Sequence, residues 1–278
     1  MLKTILVPTD GSIYSESALY YAIELGRLYS ARVRLINIID VRLLESMSFS
    51  GLDRMADGLP VSRLQDELRD TLVEKSEQVL EAAQEMCETM GAQYESESVT
   101  GLVPETICRL SEEVDLVSMG QRGEFARWDK VTIGSSVESV VRHAAKPILL
   151  SPLVYKDIRR ALLAYDGSGH ANRALEVAAD FCRHAGWPLL VLAVKDDLSE
   201  GGRIIKEAER LLLPYNLLTR MVVKKGDAAE TILSTCRDEN CDLVIMGAYG
   251  HTRIREAILG STTEEVMRNT KIPLLLVR

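Results

Sequence analysis

Short aliphatic, β-branched runs alternate with amphipathic helical stripes along most of this chain. In the first half the runs fall at about 2–8, 33–39, 93–99, 115–119 and 147–151, with helical patterns at about 14–29, 64–90, 103–113 and 135–144. The pattern over 64–90 puts Leu64, Leu68, Leu72, Val79, Leu80, Ala83 and Met90 on one stripe and stops at Gly91, as a helix with a C-terminal glycine does. In the second half strands are predicted near 160–165, 188–194, 218–224, 242–246 and 273–278. Strands alternating with helices predict βαβ units and a parallel sheet.

The two halves repeat one another. Ile5-Leu-Val-Pro-Thr-Asp-Gly-Ser12 matches Ala161-Leu-Leu-Ala-Tyr-Asp-Gly-Ser168, and Ala18-Leu19 matches Ala174-Leu175. Gly101-Leu-Val-Pro-Glu-Thr-Ile107 pairs with Gly226-Asp-Ala-Ala-Glu-Thr-Ile232, and Asp115-Leu-Val-Ser-Met-Gly120 with Asp242-Leu-Val-Ile-Met-Gly247. Lys146-Pro147 before an aliphatic run returns as Pro273 near the C-terminus. Several matches in one order identify a duplication. The units are expected at 1–153 and 158–278, each a doubly wound α/β domain with a five-stranded parallel sheet. About eight residues separate the last strand of one copy from the first of the next, so the domains are expected to pack as a fixed pseudo-dimer. The second copy is shorter by about 30 residues, and the excess falls mostly at 41–63 of the first. That stretch has no sustained period and reads as a long mobile loop. Covering a ligand, binding a partner and being a tolerated insertion all remain open for it.

Composition narrows the function classes. Hydrophobic residues make up 46% and charged residues 27% of 278, the balance of a soluble globular protein. A formal net charge of −8 argues against a nucleic-acid partner, though not against one bound nucleotide, since backbone N–H groups alone can hold phosphate. The five cysteines are scattered, without zinc spacing, and read as buried reduced thiols. With no signal-peptide pattern and no apolar run of about 20 residues, a cytoplasmic protein without membrane contact is expected.

In open parallel sheets, ligands bind outside the carboxyl ends of the strands, where strand order reverses. Here the first strands end in Pro8-Thr9-Asp10-Gly11-Ser12 and Ala164-Tyr165-Asp166-Gly167-Ser168. The fourth strand of the second copy ends in Met246-Gly247-Ala248-Tyr249-Gly250, followed after nine residues by Gly260-Ser261-Thr262. The first copy has Met119-Gly120-Gln121-Arg122-Gly123, then ten residues, then Gly134-Ser135-Ser136. Glycines admit a close ligand approach, and a helix beginning at Gly-Ser offers free N–H groups and a favourable dipole to an anion. Asp166, at the end of a buried strand, can accept from ribose hydroxyls or an adenine amine. The alternative for each feature is purely structural: tight-turn glycines, Asp-Gly turns, and Ser135 and Ser261 as ordinary N-caps.

A strand-end aspartate with Gly-x2-Gly-x9-Gly-Ser resembles the universal stress protein family in its tandem form, over nearly the whole chain. The resemblance implies strand order 3-2-1-4-5, a stress-linked role, and ATP (or ADP or AMP, with Mg2+ on the phosphates) as ligand. It also adds Ile38, Val194, Met119 and Met246 as contacts. The second loop has the family spacing and the first is one residue longer. If one site alone is filled, the second is expected.

His251 and Arg253 on the second loop, and Arg122, Arg127 and Lys130 on the first, are candidates for terminal phosphates or solvated loop charges. His143, His170 and His184 are placed away from the glycine loops. No oriented nucleophile, P-loop or complete dinucleotide fingerprint occurs, so the chain reads as a non-enzyme with slow hydrolysis at most. The leading reading is an ATP-binding regulator acting through its conformation or an unidentified protein partner, with a homodimer as a further assembly. A competing reading is a nucleotide-independent interaction module, and a third, a nucleotide hydrolase, lacks a dedicated catalytic group.

Overall fold

A computed structural model describes residues 2–43, 61–123, 134–248 and 259–278. The first half runs β1 (Thr4–Pro8), α1 (Ile13–Tyr29), β2 (Arg32–Asp40), α2 (Val61–Thr89), β3 (Tyr94–Gly101), α3 (Val103–Ser111), β4 (Leu116–Gly120), α4 (Ser135–His143) and β5 (Ile148–Ser151). The second runs β6 (Ala161–Ala164), α5 (Gly169–Ala185), β7 (Leu189–Val194), α6 (Leu198–Leu212), β8 (Thr219–Lys224), α7 (Ala228–Asp238), β9 (Leu243–Gly247), α8 (Ser261–Asn269) and β10 (Leu274–Val277).

Each half is a parallel sheet in the order 3-2-1-4-5, and the two are fused into one ten-stranded sheet, β3-β2-β1-β4-β5-β10-β9-β6-β7-β8. The seam is the antiparallel pair β5–β10, with Leu150 opposite Leu274 and Leu149 opposite Leu275. All four of these leucines are at most 1% exposed, and burying such a side chain stabilises by about 1.5–3 kcal/mol. Because the seam is antiparallel, the carboxyl ends of the two sets of strands lie at opposite edges of the sheet.

Strand alternation divides the core into two layers. Ile5, Val7, Leu163 and Leu275 face the layer of α1, α2, α5 and α6. Leu6, Leu162, Leu274 and Leu276 face α3, α4, α7 and α8. Both faces are covered, which is why the strands read as nearly continuous apolar runs. Side chains add to the seam: the Tyr29 hydroxyl donates to Asp180 Oδ2 of the second half at 2.9 Å, and the Tyr21 hydroxyl to Lys156 O in the connecting segment at 3.1 Å.

The stretch 41–63 differs from the loop expected there. Residues 41–43 are helical, and α2 begins at Val61, about one turn before the start expected at 64. The remainder of that stretch lies outside the described residues. The cysteines are free thiols, four of them buried and Cys108 partly so. No helix among the described residues is long and apolar enough to cross a membrane.

Candidate functional site

The two strand-to-helix turns at β1 and β6 are built alike. Gly11 and Gly167 take left-handed torsions (φ 76° and 81°), which a side chain would strain. The turn lets Asp10 Oδ1 accept from Ser12 N (3.0 Å) and Asp166 Oδ1 from Ser168 N (2.9 Å). Ser12 and Ser168 then cap α1 and α5, accepting from Ser15 N and Ala171 N. One oxygen of each aspartate thus serves the turn.

The first glycine of each loop has a packing role. A Cβ on Gly120 would stand 2.6 Å from Tyr14 Cβ and 2.9 Å from its carbonyl carbon; on Gly247 it would stand 2.9 Å from His170 Cβ and 3.1 Å from its carbonyl carbon. These glycines let the first turn of α1 or α5 lie against the end of β4 or β9. His170 therefore sits beside the start of the second glycine loop, correcting its placement away from the loops. Its ring nitrogen Nδ1 faces Arg173 Nη2 at 2.7 Å. Burial, followed by the Arg173 and Arg278 charges, lowers its pKa.

The later glycines of the first copy differ in how closely they are packed. A Cβ on Gly123 would come within 2.9 Å of Asp10 Oδ2, whereas one on Gly134 meets nothing closer than 3.5 Å. Gly134 and Gly260 are themselves the N-caps of α4 and α8, with no side-chain hydrogen bond at either cap. Ser135 and Ser261 are first helical residues rather than the N-caps of the structural alternative. A glycine cap leaves the first-turn N–H groups without a capping oxygen of its own.

A cleft of about 710 Å3 lies at the carboxyl ends of β1, β2 and β4, walled by α2, α3 and α4. It brings together Pro8, Thr9, Asp10, Ile38, Met119, Gly120, Gly123, Gly134, Ser135 and Ser136. One side is apolar, with Ile36, Ile38, Val103, Ile107 and Met119; the other carries Thr9, Ser15, Asn37 and Ser76. That is the makeup of a small-molecule site, an apolar slot with a few placed polar groups. Asn37 fixes the strand end by donating to Thr9 O at 2.8 Å. Ser76 is tied to Ser98 across a 2.7 Å hydroxyl pair.

Arg42, Lys75 and Arg122 line the same cleft. Arg42 Nε lies 3.0 Å from both carboxylate oxygens of Asp40, and this contact holds the Asp40 carboxyl below the usual range. Asn37, Lys75, Ser76 and Arg42 were not singled out from the sequence. The i, i+3, i+4, i+7 spacing of Leu72, Lys75, Ser76 and Val79 was the available signal.

In the second copy Ala164, Tyr165, Asp166, Val194, Met246, Gly247, Gly260, Ser261 and Thr262 lie at the corresponding strand ends and helix start. Gly250 and Arg253, like His251, Arg127 and Lys130, are outside the described residues. Two substitutions distinguish the copies. Tyr165 replaces Thr9 and is 2% exposed, its hydroxyl donating to Asn172 Oδ1 at 2.5 Å. Burial pushes that hydroxyl up to about 12. Ala193 stands where the first copy has Asn37.

Known proteins supply an independent frame. The model of the Universal stress protein family matches residues 1–152 and again 157–278. A universal stress protein of Synechocystis sp. is 29% identical over the whole of both chains. One from Thermus aquaticus is 35% identical over 42% of this chain and 96% of its own. Among solved structures, a universal stress protein from Archaeoglobus fulgidus superposes with a TM-score of 0.78 at 24% identity, covering 99% of this chain and 98% of its own.

Proposed function

Since the chain belongs to the universal stress protein family over both of its halves, we propose that it is an ATP-binding regulatory protein whose occupancy sets its conformation or its choice of protein partner. The observation that carries this reading is the cleft of about 710 Å3 at the carboxyl ends of β1, β2 and β4, the position where open α/β sheets hold ligands. The adenine lies in the apolar slot between Ile38 and Met119. Asp10, with Oδ2 turned toward Gly123, accepts from ribose hydroxyls or the adenine amine.

Phosphates rest against Gly123, Gly134, Ser135 and Ser136, where the N–H groups and dipole of α4 favour an anion. Arg122 and Lys75 supply further positive charge. Mg2+ travels with the phosphates. The corresponding second site uses Ala164, Tyr165, Asp166, Val194, Met246, Gly247, Gly250, Arg253, Gly260, Ser261 and Thr262. Within it Tyr165 contributes backbone alone, its ring being buried. No residue is assigned as general base, and turnover is slow at most.

Mass spectrometry of small molecules released from purified, unheated protein tests the reading. An adenine nucleotide is expected from the wild type, and at least tenfold less from Gly134→Val. Absence of any nucleotide from both, with none retained after incubation in millimolar ATP, favours the nucleotide-independent interaction module.

A further inference from the structure

We propose that Cys236 and Cys241 form a reversible disulfide, making the α7 cap a modification site for hydroperoxides. The inference is independent of nucleotide binding and begins with the backbone. Cys241 N donates to Cys236 O at 2.9 Å and Asn240 N to Arg237 O at 3.3 Å, while Asn240 is left-handed at φ 52°. This 6→1 and 5→2 pair is a Schellman cap, in which the two residues joined by the outer bond bring their side chains into contact. Here both side chains are thiols.

The cap recurs elsewhere in the chain. Ala92 N donates to Cys87 O (2.8 Å) after α2, and Trp187 N to Cys182 O (3.0 Å) after α5. Among the described residues, α7 alone has a second thiol at the closing position. A disulfide needs Cα atoms roughly 4.4–6.8 Å apart and converging Cβ atoms, and the 6→1 bond joins these two backbones directly. Both residues are 5% exposed, so the pair closes inside the cap rather than in solvent.

The surroundings distinguish the two sulfurs. The neighbouring Cys236 thiol and the Arg160 charge favour the Cys241 thiolate; Arg160 is anchored by its bond to Glu239 O at 2.7 Å. The contact with Cys241 and burial keep Cys236 protonated. Cys87 and Cys182, buried without a partner thiol, are pushed up to about 11 and about 12. The thiolate is the reactive form, and Cys241 adjoins Asp242, which is bonded to the Arg160 backbone in both directions (2.8 and 3.2 Å); the neighbouring arginine makes Cys241 the attacking sulfur.

Its thiolate attacks one oxygen of a hydroperoxide: an S–O bond forms, the O–O bond breaks, and the departing alkoxide (hydroxide, from hydrogen peroxide) takes a proton to leave as alcohol or water. Cys236 then attacks the resulting sulfenic acid. The S–S bond forms, the S–O bond breaks, and hydroxide leaves with the Cys236 proton as water. Two thiols are oxidised and one hydroperoxide is reduced. A dithiol reductant reverses the step by exchange. The next residue, Asp242, accepts from Arg159 N and Arg160 N at 3.0 and 3.2 Å. The crosslink therefore closes beside the joint where the connection from the first half enters β6.

The test uses the intact wild-type chain, treated with hydrogen peroxide, quenched, alkylated under denaturing conditions and digested. The expected product is a peptide linking Cys236 to Cys241, lighter by two hydrogens (~2 Da) than its reduced form and restored by dithiothreitol, with Cys87 and Cys182 alkylated as free thiols. In Cys236→Ala the ~2 Da loss disappears and Cys241 advances to sulfenic or sulfinic acid. Recovery of Cys236 and Cys241 as free thiols, equal oxidation of all five cysteines, or disulfides between separate chains each overturns the proposal.

Discussion

Asp10 Oδ2 lies 2.9 Å from the point a Cβ would occupy on Gly123, so the strand-end carboxylate and the glycine loop are fitted to one another across the mouth of the cleft. Gly123→Ala forces that carboxylate to rotate away. ATP affinity is expected to fall about tenfold, equivalent to about 1.4 kcal/mol, while the melting temperature stays close to that of the wild type. A large loss of stability with unchanged affinity contradicts this placement of Asp10.

Gly120 makes the opposite kind of contact. An added Cβ meets the backbone of Tyr14 at 2.9 Å, which cannot swing aside. Gly120→Ala is expected to destabilise by about 1–3 kcal/mol, in the range of overpacked cores, measured by urea unfolding. Full stability in this variant shows that α1 does not rest on β4 as described.

Tyr29 and Asp180 connect the two halves through a 2.9 Å hydrogen bond. Burial and the Asp180 carboxylate raise the Tyr29 hydroxyl well above its ordinary range, so it remains a donor at physiological pH. Tyr29→Phe keeps the ring and removes the donor. The expected cost is about 1 kcal/mol, seen in denaturant unfolding of the whole chain; an unchanged midpoint removes this bond from the account.

His170 gives a pH dependence with a definite sign. Its folded pKa is lowered by burial and by the neighbouring arginine charges, below the ordinary value of about 6.5. The folded state then binds fewer protons than the unfolded one. Its contribution to stability is present above about pH 6.5 and is lost as pH falls through the folded value. Proton NMR of the imidazole should show a midpoint below 6.5, rising in Arg173→Ala. A midpoint at or above 6.5 in the wild type rejects this environment.

The duplication, the parallel strands and the two strand-end turns were legible in the sequence, because repetition and buried aliphatic runs are local signals. The resemblance to the family added the strand order. Polar residues on regular elements carried no such mark. Asn37 and Ser76 lie in a strand and a helix like any others, and only the packing of α2 over β2 turns them to one cleft. Tyr165 shows the converse. Its position beside Asp166 reads as a ligand contact, yet its side chain is buried in the core, with its hydroxyl held by Asn172 of α5. The contact of His170 with Gly247 depends on how α5 leaves β6, which the separation of the two residues in sequence conceals. The first turn of α2 carries no helical signal in the sequence because it adjoins a stretch without period.

The most direct test of the central claim is a calorimetric titration of ATP into the intact, ligand-stripped chain. The account predicts saturable binding at micromolar ligand, weakened in Gly123→Ala and Gly134→Val. No heat from ATP, ADP or AMP at high protein concentration contradicts it.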